Sequence, residues 1–355
     1  MNPSSVARFG ENYDPERLRR FAGRIFEKLG MPADDAALLA DHLVWADLRG
    51  HSRVGIKKIP QYYERFRRGL IAPVAQPVVV HDRSAFALVD AGDACGPVVG
   101  VRAMDMAIER ARGAGIGLVV VRDTTTANAM GYFALRAATQ RMIGLVINNS
   151  PPVIPPPGGK TGVVGVQAFA IAAPAGNHDP IVLDMTNSAM TKVRMEDYLR
   201  RGEELPSGVA LSASGEPTVD PAEALLGFLA PMGGPRGFGL ALMWEVLTGV
   251  LAGGPRFAGN VTMPDVYDRT QGVSLCLLAI DPEAAMPYDT FVSRVDELID
   301  QVHASDLAPG TDRVTVPGER SRARAAARER DGIPITEDLA ARLRRIGSEL
   351  GVTGP

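Results

Sequence analysis

Four stretches of this chain carry side chains able to do chemistry. In RGHSRVGIKKIPQYYERF (49–66) the cationic and phenolic groups Arg49, His51, Arg53, Lys57, Lys58 and Tyr62 gather. Lys58 and Tyr62 are four residues apart, so they share a helix face and could together grip a substrate carboxylate; the same groups would also make an ordinary solvated basic face. In APMGGPRGFGLALMWEVL (230–247), Gly233, Gly234, Gly237 and Gly239 lead into a helix with Arg236 at its mouth. Free N–H groups at a helix start, with an arginine fork beside them, suit a phosphate or a carboxylate. Glycines there equally allow tight helix packing, with Arg236 left in solvent. Asp184 closes an apolar strand, a place for binding or for orienting a base, or for capping a helix after Asn187. Residues 319–330 hold Arg320, Arg322, Arg324, Arg328 and Arg330, which could meet an adenosine 2′-phosphate or line a solvated helix.

Other chemistries are excluded. No GxGxxG lies between a strand and a helix, as a Rossmann site requires; the glycines of RGAGIG (112–117) follow a helix and precede a strand, the order of a helix stop. A Walker loop and a GxSxG elbow are missing. Cys95 and Cys276 are the only cysteines, and His42, His51, His81, His178 and His303 show no HxH or HxxxH spacing. A disulfide framework and a metal cage are therefore not expected. The net charge of −3 removes a nucleic-acid partner driven by bulk positive charge, while 46% hydrophobic residues suffice for a large core. MNPSSVARFGENYD at the start has no apolar stretch, so a signal peptide is not expected. The most apolar windows, 163–175 and 238–252, fall short of the roughly 20 residues of a membrane span. A cytoplasmic protein without a membrane partner is expected.

These groups need elements to hold them. Asp14-Pro15 is a helix start; Leu18, Phe21, Ile25 and Leu29 then share one face, and Gly30 ends the run. A second helix follows Pro32. A third is predicted from Ile56 to Arg68, with Tyr62, Tyr63 and Phe66 inside. From about residue 78 strands and helices alternate: PVVVHD, FALVDA, a helix over 97–112, IGLVVVRD, a helix over 130–140, MIGLVINN, FAIAAP, PIVLDM and VSLCLLAID. A buried helix is predicted over 237–251, another over 288–304, a strand at DRVTVPG, and a last helix over 336–350. The expected division is an N-terminal helical segment, 1–77, packing with a C-terminal helical segment, 283–355, beside an α/β cofactor-binding domain at 78–282.

Taken together, several stretches resemble the non-Rossmann malate/L-lactate dehydrogenase family, which includes ureidoglycolate, sulfolactate and diketogulonate dehydrogenases and cyclic-imine (piperideine-carboxylate) reductases. They are RGH…IPQYYERFRRG, LVDAGDACGP…AMDMAIERARGAGIGLVVVRD, PPPGG…FAIAAP, PIVLDMTNS, LPSG…PTVDP, PMGGPRGFGLALMWEVLTGVL, VPGER and DGIPIT, in the family's order over nearly the whole chain. The resemblance implies an α/β fold with a non-Rossmann, mixed-sheet NAD(P)-binding domain of the L-sulfolactate dehydrogenase type plus a helical domain. It further implies a homodimer, NADPH or NADH as cofactor, and a small carboxylate-bearing carbonyl or imine as substrate. The arginines at 320–324 lean towards NADP. Carried onto this sequence, it implies substrate binding by His51, Arg53 and Lys58, catalysis by Lys58, Tyr62, Thr126 and Asp184, and a cofactor held by Thr126, Ala127, Asn128, Asp184, Met185, Thr186, Gly234, Arg236, Gly318, Glu319 and Arg320.

The departures fall on the chemistry. The family's Asp-Ser-His-Gly becomes Ser52-Arg53-Val54-Gly55, and its Ser-Asn-His-Phe-Gly becomes Thr124-Thr125-Thr126-Ala127-Asn128, so the expected acid/base histidine is Thr126. Gly-Thr-Asn-Pro becomes Gly165-Val166-Gln167-Ala168, and a lysine becomes Arg236. Reducing a ketone needs a proton on oxygen, and a general acid contributes roughly 10²–10⁴-fold. An iminium nitrogen already carries its proton. An imine is therefore the favoured substrate, or else another acid such as Tyr62 or Lys58 serves; His51 could do so only if the local backbone shifts by register. The alternative is a scaffold that has lost hydride transfer and binds a ligand or catalyses a non-redox reaction.

Overall fold

The computed structural model describes residues 9–254, 257 and 260–355. The chain opens with β1 (Phe9–Tyr13), α1 (Pro15–Lys28), α2 (Ala33–Leu48) and α3 (Ile59–Arg67). Asp14 caps α1 by accepting the Arg17 N–H at 2.7 Å. There follow β2 (Val78–Arg83), β3 (Phe86–Asp90), α4 (Gly96–Ala114), β4 (Ile116–Thr124), α5 (Met130–Thr139), β5 (Ile143–Asn148), β6 (Phe169–Ala173) and β7 (Ile181–Met185). Next come α6 (Lys192–Arg201), β8 (Ala210–Leu211), α7 (Pro221–Leu226), β9 (Phe228–Leu229), α8 (Pro235–Glu245) and β10 (Val273–Ile280). The chain closes with α9 (Tyr288–His303), α10 (Glu319–Asp331), β11 (Ile333–Thr336) and α11 (Glu337–Leu350).

Seven strands form one mixed sheet in the order β2-β3-β4-β10-β5-β6-β7. Only β3 and β4 run parallel, joined by the crossover helix α4; the other neighbours are antiparallel. Gly115 ends α4 at φ 76°, as the glycine-stop reading expects. Period-two alternation divides β4 between two layers. Val119 and Val121 face the core beneath α4 and α5, while Val120 faces Leu88, Cys276 and Ala252 on the opposite side. A separate core joins both ends of the chain: Leu18, Phe21 and Ile25 of α1 and Leu43 of α2 pack with Leu343 and Ile346 of α11. β1 and β11 pair antiparallel beside it. Within 283–355, α9 is held by the loop before β7, where Asp296 accepts the N–H groups of Gly176, Asn177 and His178. No helix among the described residues is long and apolar enough to cross a membrane.

Several elements differ from expectation. The third helix begins as a tight 3-10 turn, Ile56–Lys58, because Pro60 has no N–H to close an α-turn onto Ile56. The helix predicted over 237–251 starts at Pro235 and widens into a π-turn at Val246–Val250. Thr248 lies in that turn, its hydroxyl donating to the Trp244 carbonyl at 2.7 Å and so competing with the backbone ladder. DRVTVPG forms no strand; it runs beside β7 with a single backbone bond from Val182 N–H to the Pro317 carbonyl.

Candidate active site

The loop between β4 and α5 organises the site. Gly96 N–H donates to Thr125 Oγ1, and a Cβ on Gly96 would lie 2.4 Å from the Thr125 carbonyl, so the loop sits directly on the start of α4. Thr126 is gripped at two points by Gln271: its N–H donates to Oε1 (3.2 Å), and Gln271 Nε2 donates to its hydroxyl (2.8 Å). The Tyr62 hydroxyl donates to the Thr126 carbonyl (3.3 Å) and accepts from Asn128 Nδ2 (2.8 Å), so both its hydrogen-bonding roles are spent on this loop. Burial holds the Tyr62 phenol well above its ordinary pKa. Ala127 is fully buried, and Asn128 takes a φ of 63°. Ala129 N–H donates to His42 Nε2 (3.1 Å); that imidazole lies in the core against Tyr132 and Phe133, where burial holds it neutral with a pKa of about 3.

Lys58 stands half-buried at the head of α3, its ammonium donating to Gln61 Oε1 at 3.0 Å. Burial lowers its pKa to about 8; Arg53 and Lys57 push it the same way and Asp265 opposes them. Arg53 is exposed and feels Glu196 of α6. Lys58, Arg53, Tyr62 and Thr126 are thus brought to one region.

Asp184, at the end of β7, accepts the Gly131 N–H (2.8 Å) in the first turn of α5, just beyond the same loop. Burial raises its pKa, while His51 and the Gly131 N–H pull against the rise. It does not cap a helix: Thr191 caps α6. Asp184 and His51 line a cleft of about 430 Å³ whose other walls include Trp45, Arg49, Gly318, Arg320 and Arg322. Arg49 stacks over Trp45 at 4.0 Å, and burial together with Arg322 lowers its pKa to about 10. Glu319 turns away from the cleft to His303 (2.7 Å), and Arg320 is exposed.

The strand end carrying Met185 and Thr186 continues to the glycine loop. The Thr186 hydroxyl pairs with Ser188 (3.0 Å), and Asn187 bonds through its backbone to Val166 and Met232. Gly233 and Gly234 have φ values of 62° and 64°, and a Cβ on either would meet nothing within 4 Å. Arg236 is exposed in the first turn of α8. Gln167 and Asn149 both donate to the buried Glu245 carboxylate.

Sequence reasoning passed over His42, Asp47, Asn187, Gln271 and Glu245 as site groups. Their signal was a polar residue at a buried position. Asp47 lies on α2 and accepts the Ile56 N–H at 2.7 Å, fixing the turn that carries Lys58. Burial pushes its pKa from 3.8 up to about 6, against the Ile56 N–H, Ser52 and Arg328. A carboxyl with a raised folded-state pKa favours folding below its unfolded value, and that contribution is lost as pH climbs through the folded value. Asp47→Asn keeps an acceptor for Ile56. Its stability over the parent, read from urea midpoints, is expected to grow between pH 4 and 7 to about 2 kcal/mol, slightly below the full linkage value because an amide N–H₂ is then buried. A pH-independent difference would contradict this.

Residues 13–344 match the family model described as malate/L-lactate dehydrogenase. The chain is 34% identical to a malate dehydrogenase of Pyrococcus abyssi, covering 97% of each. The solved structure of sulfolactate dehydrogenase from Methanocaldococcus jannaschii aligns with a TM-score of 0.92 at 34% identity, over 96% of this chain and 98% of that one. A Δ1-pyrroline-2-carboxylate/Δ1-piperideine-2-carboxylate reductase of Pseudomonas putida is 28% identical over 90% of this chain and 92% of its own length.

Proposed function

Because this chain belongs to the malate/L-lactate dehydrogenase family and is an oxidoreductase, we propose that it uses NADPH to reduce a small carboxylate-bearing imine, and 2-oxo acids more slowly. When bound, a reduced nicotinamide supplies a hydride to the imine carbon, the C=N π pair becomes the nitrogen lone pair, and nitrogen keeps the proton it carried as an iminium. The residues present fit such a cofactor. The buried Asn187 carboxamide has no partner for its oxygen or its nitrogen. The space over Gly233 and Gly234 is open, and Arg236 stands at the helix mouth. Asp184, Met185, Thr186, Gly318 and Arg320 would complete its binding surface. Arg49, Arg320 and Arg322 share one cleft, with Arg322 paired to Asp179 (2.7 Å) yet still lowering the Arg49 pKa; a 2′-phosphate would meet this positive charge, which favours NADPH over NADH.

The observation that carries the imine reading is Thr126. By the resemblance it stands where the family has an acid/base histidine, and an alcohol whose oxygen accepts from Gln271 is a poor acid near neutral pH. The nearby His42 is held neutral behind the loop. An iminium needs no donor, and Lys58 with Arg53 supplies the positive charge that anchors its carboxylate. Tyr62 then positions the loop rather than donating a proton. The P. putida reductase, named for two cyclic imine carboxylates, supports the substrate class. One observation favours a second reading, 2-oxo acid reduction with His51 as the acid: His51 and Asp184 share the cleft.

The assembly we propose is a homodimer. Leu242, Met243, Val246 and Val250, 45%, 53%, 39% and 51% exposed, leave an apolar stripe along α8 and the turn after it, which a second copy would cover. Both cysteines are free and buried, in keeping with a cytoplasmic setting.

The test compares kcat/KM for Δ1-piperideine-2-carboxylate and 2-oxohexanoate, following NADPH consumption. At least about tenfold preference for the imine is expected, with NADPH bound more tightly than NADH. Preference for the oxo acid would favour the His51 reading, and failure to bind either cofactor would overturn both.

A further inference from the structure

Beside Lys58 the structure presents a carboxylate that the reading above does not use. Lys58, Tyr62 and Arg65 recur at i, i+4 and i+7 and so share one side of α3. Arg65, only 1% exposed, donates to the carbonyls of Val266 (2.8 Å), Arg269 (3.0 Å) and Pro264 (3.3 Å). The carbonyls on both sides of Asp265 are therefore tied to the helix that carries Lys58. Asp265 stands exposed between them. Its charge reaches the Lys58 ammonium, which nevertheless gives its hydrogen bond to Gln61. One scaffold thus holds a cation and an anion near each other, with neither in a direct ion pair among the described residues.

We propose that Asp265 is a specificity-determining residue that selects substrates bearing a positively charged nitrogen, such as a cyclic iminium carboxylate, over neutral-headed 2-oxo acids. This rests on the imine reading of the same site. A 2-oxo acid offers only negative charge: Lys58 and Arg53 attract it and Asp265 repels it. An iminium carboxylate is a zwitterion, with its carboxylate turned to Lys58 and its nitrogen to Asp265. The aspartate lies at a wet rim, so its influence is moderate and weakens with salt.

The experiment measures kcat/KM for Δ1-piperideine-2-carboxylate and for 2-oxohexanoate in the full-length parent and in Asp265→Asn, at saturating NADPH and at low and high salt. The imine-to-oxo-acid ratio is expected to fall about tenfold in Asp265→Asn at low salt, less at high salt, and to recover in Asp265→Glu. NADPH affinity, unchanged, reports an intact fold. Equal loss on both substrates, or no change in the ratio, overturns the proposal. A parent that prefers 2-oxohexanoate overturns the imine reading instead. Asp265 is then judged by calorimetry on L-pipecolate and 2-hydroxyhexanoate: a Kd ratio unmoved by Asp265→Asn defeats it, and a ratio shifted against pipecolate upholds it.

Discussion

Replacing Lys58 by Met is expected to lower kcat/KM for carboxylate substrates about a hundred- to a thousandfold while leaving NADPH binding intact. The methionine keeps the stem and removes the charge. Losing one partner of a desolvated charge pair costs about 2–5 kcal/mol, and each factor of ten is about 1.4 kcal/mol. Lys58 meets the condition for the larger values, because it is half-buried beside Arg53 and Lys57, where burial and like charge bring its pKa to about 8. The sign with pH follows. Below about pH 8 the ammonium is charged and is expected to anchor the carboxylate; above it the proposed anchor discharges and kcat/KM is expected to fall. 2-Oxohexanoate, which does not itself titrate there, isolates this limb. The limb should vanish in Lys58→Met and move to higher pH in Lys58→Arg. A profile unchanged in Lys58→Met would show that another group titrates.

The second large effect is structural. Gly117→Ala in β4 is expected to destabilise the protein by about 3 kcal/mol or more, at or beyond the upper end for overpacking. Its Cβ would lie 2.0 Å from the Ala107 carbonyl and 2.9 Å from Arg110 Cβ. The obstacle is the backbone of α4, which cannot retreat without unpacking Met104, Ala107 and Ile108 from the sheet core. Gly113, four residues earlier, is the internal control. It lies in the last turns of α4 with open space where a Cβ would go, so Gly113→Ala should gain about 0.5 kcal/mol from helix propensity. Urea midpoints of the two variants should move in opposite directions; parallel shifts would refute the packing argument.

This contrast also marks what the sequence makes legible. Both glycines belong to RGAGIG, and order alone identifies a helix stop, which Gly115 is; nothing local says which glycine lies against a carbonyl. Elements such as α1 and β4 can be read locally, α1 because its apolar residues recur on one helix face and β4 because it is a short continuous apolar run, buried on both faces. The pairing of β1 with β11 cannot, since each strand is at most five residues and Pro334 interrupts the second. The site is similar. The charged face at 49–66, Asp184 and the glycine loop are singled out by residue type and position, and the resemblance adds Thr126 and the stretch at 317–319. Gln271, which holds Thr126 by two hydrogen bonds, is 145 residues away from it, and only tertiary structure brings them together. Asp47 and His42 look like ordinary polar interruptions of an apolar helix until their burial is seen.

The core shared by the two ends of the chain sets an order for synthesis. Asn12 donates to the Asp331 carbonyl across 319 residues, and α1 buries part of its apolar face against α11, a helix made long after it. At roughly 5–20 residues per second, tens of seconds separate the emergence of Leu18, Phe21 and Ile25 from that of Leu343 and Ile346. Throughout that interval α1 and α2 can pack on each other, but the apolar surface that α11 covers stays open and is a client surface for chaperones on the ribosome. The α4–β4 unit, by contrast, can close on itself almost as soon as it leaves the exit tunnel. The wall that carries Lys58, where α11 packs on α3, is therefore completed only once α11 has emerged.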